Sequence, residues 1–314
     1  MQSTNHVFMV RPKRFGYNPQ TAQDNTFQSI PGEQTQEEIA IKALAEFDAM
    51  VTEMRNKGID VTVFEENLDT PGITPDVVFP NNWISTHSNG TVILYPMRWE
   101  NRQWERRADV VAKLKSTYQV AQLLDLSPNE KQGKYLEGTG SMIIDHVNGI
   151  IYAALSERTQ EALTNEVGKQ LGYQVVTFSP NRYTSAAGVE AAIYHTNVMM
   201  CIATNLVVIC TDAIVPEDTE RVVKSLTQSG KEIVEISLNQ MLESFCGNML
   251  EVQGPTGLPY LLMSTTSYGA LTAKQLEVIK RHNQILYFAI PTIEKYGGGS
   301  VRCMVAENFL PQAH

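Results

Sequence analysis

Tyr296-Gly297-Gly298-Gly299-Ser300-Val301-Arg302-Cys303-Met304, near the C-terminus, carries the reading of this chain. Three consecutive glycines permit close backbone approach and φ > 0 conformations that a side chain forbids. They lead into a short apolar segment, 301–305, which reads as a strand with no helix after it. A unit left unfinished in this way needs completion from elsewhere. The N-terminal segments (strand 6–10, helix 37–57, strand 60–64) supply what is missing. Cys303 follows the pliable loop and neighbours the cation Arg302. That placement suits nucleophilic work, because the thiolate is the reactive species and positive charge favours it. An inert, buried small hydrophobe is the alternative for a cysteine considered alone.

The same grammar recurs upstream. Segments 77–79 and 82–85 are followed by 91–95, a helix over 101–117 and a strand over 119–123. Next come 141–144, 150–153, a helix over 157–171 and 174–178, then 198–202, 206–210, a helix over 216–229 and 232–236. The last full unit is 249–252, 260–263, a helix over 272–282 and 285–288. The first helix has an apolar stripe of Ile39, Ile41, Leu44, Phe47, Met50, Val51 and Met54. Strand–strand–helix–strand thus occurs five times, the fifth time across the two chain ends. Equivalent positions are Asn82, Ser141, Asn197, Asn248 and Cys303, a period of roughly 50–60 residues that signals a ring of repeated units. No unit buries its own apolar face, so residues 1–314 are expected to form a single α/β domain. The polar stretch 11–35 is too long for a mere connector and reads as the cover of a site.

Hydrophobic residues make up 43% of the 314 and charged residues 19%, ordinary values for a globular protein. The net charge of −9 argues against a nucleic-acid partner. No apolar run approaches the roughly 18–20 residues that span a bilayer, so no membrane partner is expected. The opening Met1-Gln2-Ser3-Thr4-Asn5 lacks a secretory pattern. Cys201, Cys210, Cys246 and Cys303 form neither a disulfide framework nor a C-x-x-C zinc pair, which points to a reducing, cytoplasmic compartment. The sequence carries no signal for oligomeric state.

If the equivalent segments converge on an axis, so do their side chains. Glu137-Gly138-Thr139-Gly140 offers a carboxylate beside glycines. His195-Thr196-Asn197 would put an imidazole and an amide on one face of an extended segment. Asn81 and Asn82 add further amides. Cysteine, histidine and carboxylate are the parts of an activated nucleophile. Singly, each has a plainer reading as a core histidine, a turn carboxylate or loop amides. Arg158 is read in the first turn of a helix capped by Ser156, where the macrodipole disfavours a cation; a ligand carboxylate would explain it. Arg98 or Arg102 is a candidate for a second carboxylate contact, with a solvated charge as the alternative for Arg102.

In order and spacing, a set of short motifs resembles the guanidine-modifying enzymes, the penteins that include arginine deiminase, agmatine deiminase and glycine amidinotransferase. The motifs are Met9-Val10-Arg11-Pro12, Phe79-Pro80-Asn81-Asn82-Trp83, Leu136-Glu137-Gly138, Ser156-Glu157-Arg158-Thr159, His195-Thr196-Asn197, Gly247-Asn248-Met249 and the segment from Gly297 to Met304. The likeness is closest to the amidinotransferase-like, citrulline-utilisation hydrolase branch. It implies a five-bladed ββαβ α/β propeller with pseudo-fivefold symmetry, Cys303 as nucleophile, His195 as general acid and base, and Glu137 as the carboxylate at the substrate and histidine end. It also implies that Arg158 receives the α-carboxylate of an amino-acid substrate, and that no metal or organic cofactor is called for. In the arginine-processing members the positions matching Asn82 and Asn197 are aspartates that grip a guanidinium. A buried cation needs paired anions, so two amides favour a neutral ureido group instead. The expected activity is hydrolysis of citrulline to ornithine, ammonia and carbon dioxide through an S-carbamoyl intermediate. The alternatives are an amidinotransferase or deiminase acting on arginine or a related guanidine, and a catalytically silent propeller that binds a small molecule.

Overall fold

Helix Gln36–Asn56 begins where the Thr35 hydroxyl accepts from the Glu38 amide and the Glu38 carboxylate accepts from the Thr35 amide, a closed capping box. It buries Ile39, Ala43, Phe47, Met50, Val51 and Met54. Ile41, placed in the apolar stripe above, is 61% exposed, because two residues on from Ile39 a helical side chain has turned through roughly 200°. Thr272 and Gln275 form the same box at the start of helix Ala273–His282.

The computed structural model describes residues 1–184, 188 and 190–313. Its strands are β1 His6–Arg11, β2 Asp60–Glu65, β3 Ile84–Thr86, β4 Thr91–Leu94, β5 Gln122–Asp125, β6 Ile143–Asp145, β7 Ile150–Ala154 and β8 Gln174–Phe178. They continue with the hairpin β9 Arg182–Thr184 and β10 Glu190–Ala192, then β11 Met200–Ile202, β12 Leu206–Ile209 and β13 Glu232–Glu235. The last are β14 Leu250–Gln253, β15 Pro259–Ser264, β16 Gln284–Phe288 and β17 Ala306–Glu307. Apart from the hairpin they form five three-stranded mixed sheets. In β3-β4-β5, β6-β7-β8, β11-β12-β13 and β14-β15-β16 the first pair is antiparallel and the second parallel. A parallel pair cannot be joined by a tight turn, and helices Ala108–Thr117, Glu161–Leu171, Pro216–Gln228 and Ala273–His282 make the four crossovers. The fifth sheet repeats the pattern from both ends of the chain: β17 runs antiparallel to β1, with Glu307 opposite Val7, and β1 runs parallel to β2. Among the described residues no helix is long and apolar enough to cross a membrane.

Several departures from the expected elements bear on function. Segment 301–305 is no strand: Val301–Met304 is a helical turn, and β17 does the pairing. Equivalent turns, Pro80–Asn82, Gly138–Ser141 and Thr196–Met199, precede β3, β6 and β11. His195, Thr196 and Asn197 are therefore not one extended segment; His195 is extended and the turn begins after it. Apolar runs this short carry too little period to separate helix from strand. The expected helix 101–117 is split into Glu100–Gln103 and Ala108–Thr117. At roughly 100° per residue, one continuous helix would set the buried Asn101 and Arg102 opposite the buried Val110, Val111 and Leu114; the break turns both groups inward. The strand expected at 119–123 lies at Gln122–Asp125. The helix expected from 157 starts at Glu161, and Ser156 does not cap it. Instead the Ser156 hydroxyl accepts from the Arg158 amide at 3.1 Å within a tight turn, so Arg158 precedes the helix and no first-turn macrodipole acts on it.

Polar staples join neighbouring sheets. The Lys231 ammonium, 1% exposed, lies 3.2 Å from the Asp145 carboxylate and donates to the carbonyls of Ala203 and Thr204 at 3.1 and 2.9 Å. Removing one partner of a buried ion pair leaves the other uncompensated. Lys231→Met is expected to cost about 3–5 kcal/mol, measured by urea unfolding at neutral pH; an unchanged midpoint would show the pair to be dispensable.

Candidate active site

The helical turns in front of the first strands converge. Pro80–Asn82 packs on both Gly138–Ser141 and Val301–Met304, and Gly138–Ser141 packs on Thr196–Met199. Their side chains and loops surround a small cavity lined by Asn82, Arg102, Arg158, Tyr194, His195 and Cys303, together with Asp76 and the Gly297-Gly298-Gly299 backbone. Three residues from the expected cover also approach it: Thr21 and Asn25 line it, and Asp24 lies on Arg158.

Cys303 is 6% exposed. Its Sγ accepts from Nδ2 of Asn197 at 3.2 Å and from Nδ2 of Asn248 at 3.3 Å. The Asn248 Oδ1 accepts the Arg302 amide at 3.0 Å, which fixes that side chain's orientation. The Arg302 guanidinium does not flank the thiol as the sequence suggested. It donates to the Val305 carbonyl and the Glu307 carboxylate, both at 3.0 Å, since successive residues on a helical turn point roughly 100° apart.

His195 and Glu137 meet at 2.7 Å through Nε2 and Oε2. The Glu137 Oε2 also takes Arg158 Nη1 at 3.3 Å, and Oε1 accepts the Arg98 amide at 3.0 Å. Burial alone would raise the Glu137 carboxyl, but Arg158, His195 and Arg102 outweigh it and hold it well below the usual carboxylate range. An ionised carboxylate only accepts, so His195 carries its proton on Nε2 and keeps the Nδ1 lone pair free. Burial holds the imidazole below its ordinary value, against the pull of Glu137. Gly140 makes room here: a Cβ on it would lie 2.4 Å from Asn82 Nδ2 and 2.8 Å from His195 Nδ1.

Arg102 is buried, donating to Glu105 at 2.9 Å, Asn82 Oδ1 at 3.1 Å and the Phe79 carbonyl at 3.2 Å. Arg158 stacks its guanidinium 4.7 Å over the Tyr194 ring and donates to Asp24 through Nε and Nη2. Arg98, a quarter exposed, reaches the same Asp24 at 3.1 Å. Asn81 is fully buried but does not line the cavity; its carbonyl accepts the Thr139 hydroxyl at 3.3 Å. Sequence reasoning omitted Asp24, Asp76, Tyr194 and Asn248 from the site, although Asn248 stood among the equivalent positions and Asp24 in the expected cover.

Glu137 is the natural target for a stability test. Its folded value lies below its unfolded one, so the stability it contributes is complete above an ordinary value of about 4.3 and is lost as pH falls through the folded value. Glu137→Gln is expected to cost about 3–5 kcal/mol at neutral pH, with the gap from the parent narrowing below about pH 4. Urea unfolding across that range is the measurement; a gap that stays constant would contradict the charge assignment.

The sequence matches the family described as N,N dimethylarginine dimethylhydrolase, eukaryotic, over residues 11–310. No curated protein sequence matches it. Among solved structures it is similar to ArgZ, described as an arginine dihydrolase from the ornithine–ammonia cycle in cyanobacteria, with 13% identity and a TM-score of 0.73. That match covers 98% of this chain but only 41% of that ArgZ chain. The substrate-bound N-terminal domain of ArgZ matches at 14% identity and TM-score 0.71, covering 97% of this chain and 99% of the domain. DDAH from Pseudomonas aeruginosa, solved as a mutant complexed with citrulline, matches at 15% identity and TM-score 0.64, covering 97% and 99%. At these identities the structures speak for the α/β pentein fold alone. The family match, spanning nearly the whole sequence, goes further: the chain belongs to the N,N dimethylarginine dimethylhydrolase family of guanidine-modifying enzymes, hydrolases of C–N bonds.

Proposed function

We propose that the protein hydrolyses citrulline, a neutral ureido amino acid, to ornithine, ammonia and carbon dioxide. The observation that carries this is the hydrogen-bonding capacity left open around Cys303. Arg102 can only donate, so it takes Asn82 Oδ1 and leaves Asn82 Nδ2 without a partner. Asn197 spends Nδ2 on the sulfur and leaves Oδ1 without a partner. One free donor and one free acceptor suit the C=O and NH₂ of a ureido group. A guanidinium, all N–H, would set a donor against the Asn82 donor. Arg158 with Arg98 would take the α-carboxylate. Asp76, whose Oδ1 is unpartnered, would take the α-ammonium.

In this reading His195 Nδ1 receives the Cys303 proton and the thiolate attacks the ureido carbon. Amide N–H groups of Asn197 and Asn248 solvate the sulfur, and Asn82 Nδ2 donates to the oxygen as charge builds on it. His195 passes the proton to the departing nitrogen, the C–N bond breaks and ornithine leaves. Water, deprotonated by His195, then attacks the S-carbamoyl carbon, the C–S bond breaks, and the carbamate released splits to ammonia and carbon dioxide. The same reading takes the five sheets as blades of one closed propeller, a single domain over 1–314. Contacts of β17 with β3, β6 with β11 and β11 with β14 support it. Four free cysteines favour a cytoplasmic setting.

The test supplies citrulline, arginine and N,N-dimethylarginine separately and assays ornithine, citrulline and ammonia. Citrulline should turn over, with a carbamoyl adduct on Cys303 trapped by acid quench and seen by mass spectrometry; turnover of a guanidine with none of citrulline defeats the proposal. Cys303→Ala should lose at least about 10³-fold in kcat. Asn82→Asp with Asn197→Asp should move the preference toward arginine by about 10²-fold, the order expected from one correctly paired buried charge.

A further inference from the structure

The loop within 11–35 already supplies a carboxylate to the arginines at the cavity. Asp24 accepts from Arg158 Nε at 3.1 Å, from Arg158 Nη2, and from Arg98 Nη1 at 3.1 Å. The remaining Arg158 nitrogen, Nη1, is on Glu137. The Thr21 carbonyl accepts from Arg158 Nη2 at 3.3 Å, which brings the same loop against the same fork. Asn25 Nδ2 donates to the carbonyls of Gly297 and Gly298, each at 3.3 Å, and Gln28 Nε2 donates to Gly297 at 3.2 Å. Gly298 has φ +61°, and a Cβ there would stand 2.6 Å from Asn25 Nδ2, so the loop is seated on bare backbone. Beneath it Arg158 is 1% exposed and His195 3%.

A guanidinium fork whose edges are filled by two carboxylates has none left for a third. Resting on the reading that Arg158 and Arg98 receive the substrate's carboxylate, we propose that Asp24 is an internal competitor for that carboxylate subsite. Loop and substrate then occupy the forks in turn, and substrate enters as Asp24 leaves. The apparent affinity of any carboxylate-bearing ligand is lowered by the fraction of time the loop holds the forks. A ligand of the same shape without a carboxylate does not contend for them and escapes this penalty.

Calorimetric titration on the Cys303→Ala protein tests this, with and without Asp24→Asn. L-citrulline, L-arginine and N-carbamoylputrescine, which lacks the carboxylate, are the probes. Asp24→Asn should tighten binding of a carboxylate-bearing probe by about 10-fold and leave N-carbamoylputrescine unchanged. Asp24→Ala should do the same, and thermal melts of both variants report folding. Weaker or unchanged binding of the amino acids, an equal gain for N-carbamoylputrescine, or no binding of any probe overturns the proposal. A gain confined to arginine would uphold the competition while refuting citrulline as substrate, so the two readings fail separately.

Discussion

A carboxylate with no exposure to water has to be matched by donors, and Glu137 is that carboxylate here. Its oxygens are divided among an imidazole, a guanidinium and a backbone amide. Each of these then has its own freedom removed. His195 is held in one tautomer with Nε2 spent on Glu137, and Arg158 is aimed so that its other edge faces the loop. A single anion thereby orders the imidazole, the guanidinium and, through Asp24, the loop over them.

The repeating architecture was readable because each unit pairs short apolar strands with one clearly amphipathic helix between turn residues. Leu206–Ile209 and Pro259–Ser264 are apolar runs followed by helices whose boundaries are marked by Pro216 and by the Thr272 cap. Periodicity places such elements without any knowledge of their neighbours. The gathering of Cys303, His195, Glu137, Asn82 and Asn197 was readable for a related reason. They sit at or beside equivalent positions, and repetition brings equivalent positions together in space.

Other features had no local signature. The turn Val301–Met304 reads as strand until one sees what it packs against, and its conformation sends the Arg302 side chain away from the sulfur. Asp24 meets Arg158 across 134 residues, a contact that no pattern within either segment encodes. The sense of the Asn82 amide is set by Arg102, which faces inward because the helix around it breaks. Amides in place of aspartates were visible as letters; which of their atoms stayed free depended on partners elsewhere.

The sheet formed by β17, β1 and β2 has a consequence for how the molecule is made. Its central strand is made before β2 to β16 and its antiparallel edge after them, so β1 waits for Glu307 while all the strands between are synthesised. The Cys303 sulfur rides on the turn immediately before that edge. A nascent chain therefore holds His195 and Glu137 long before it holds Cys303, and that sulfur arrives with the residues that complete the sheet of β17, β1 and β2.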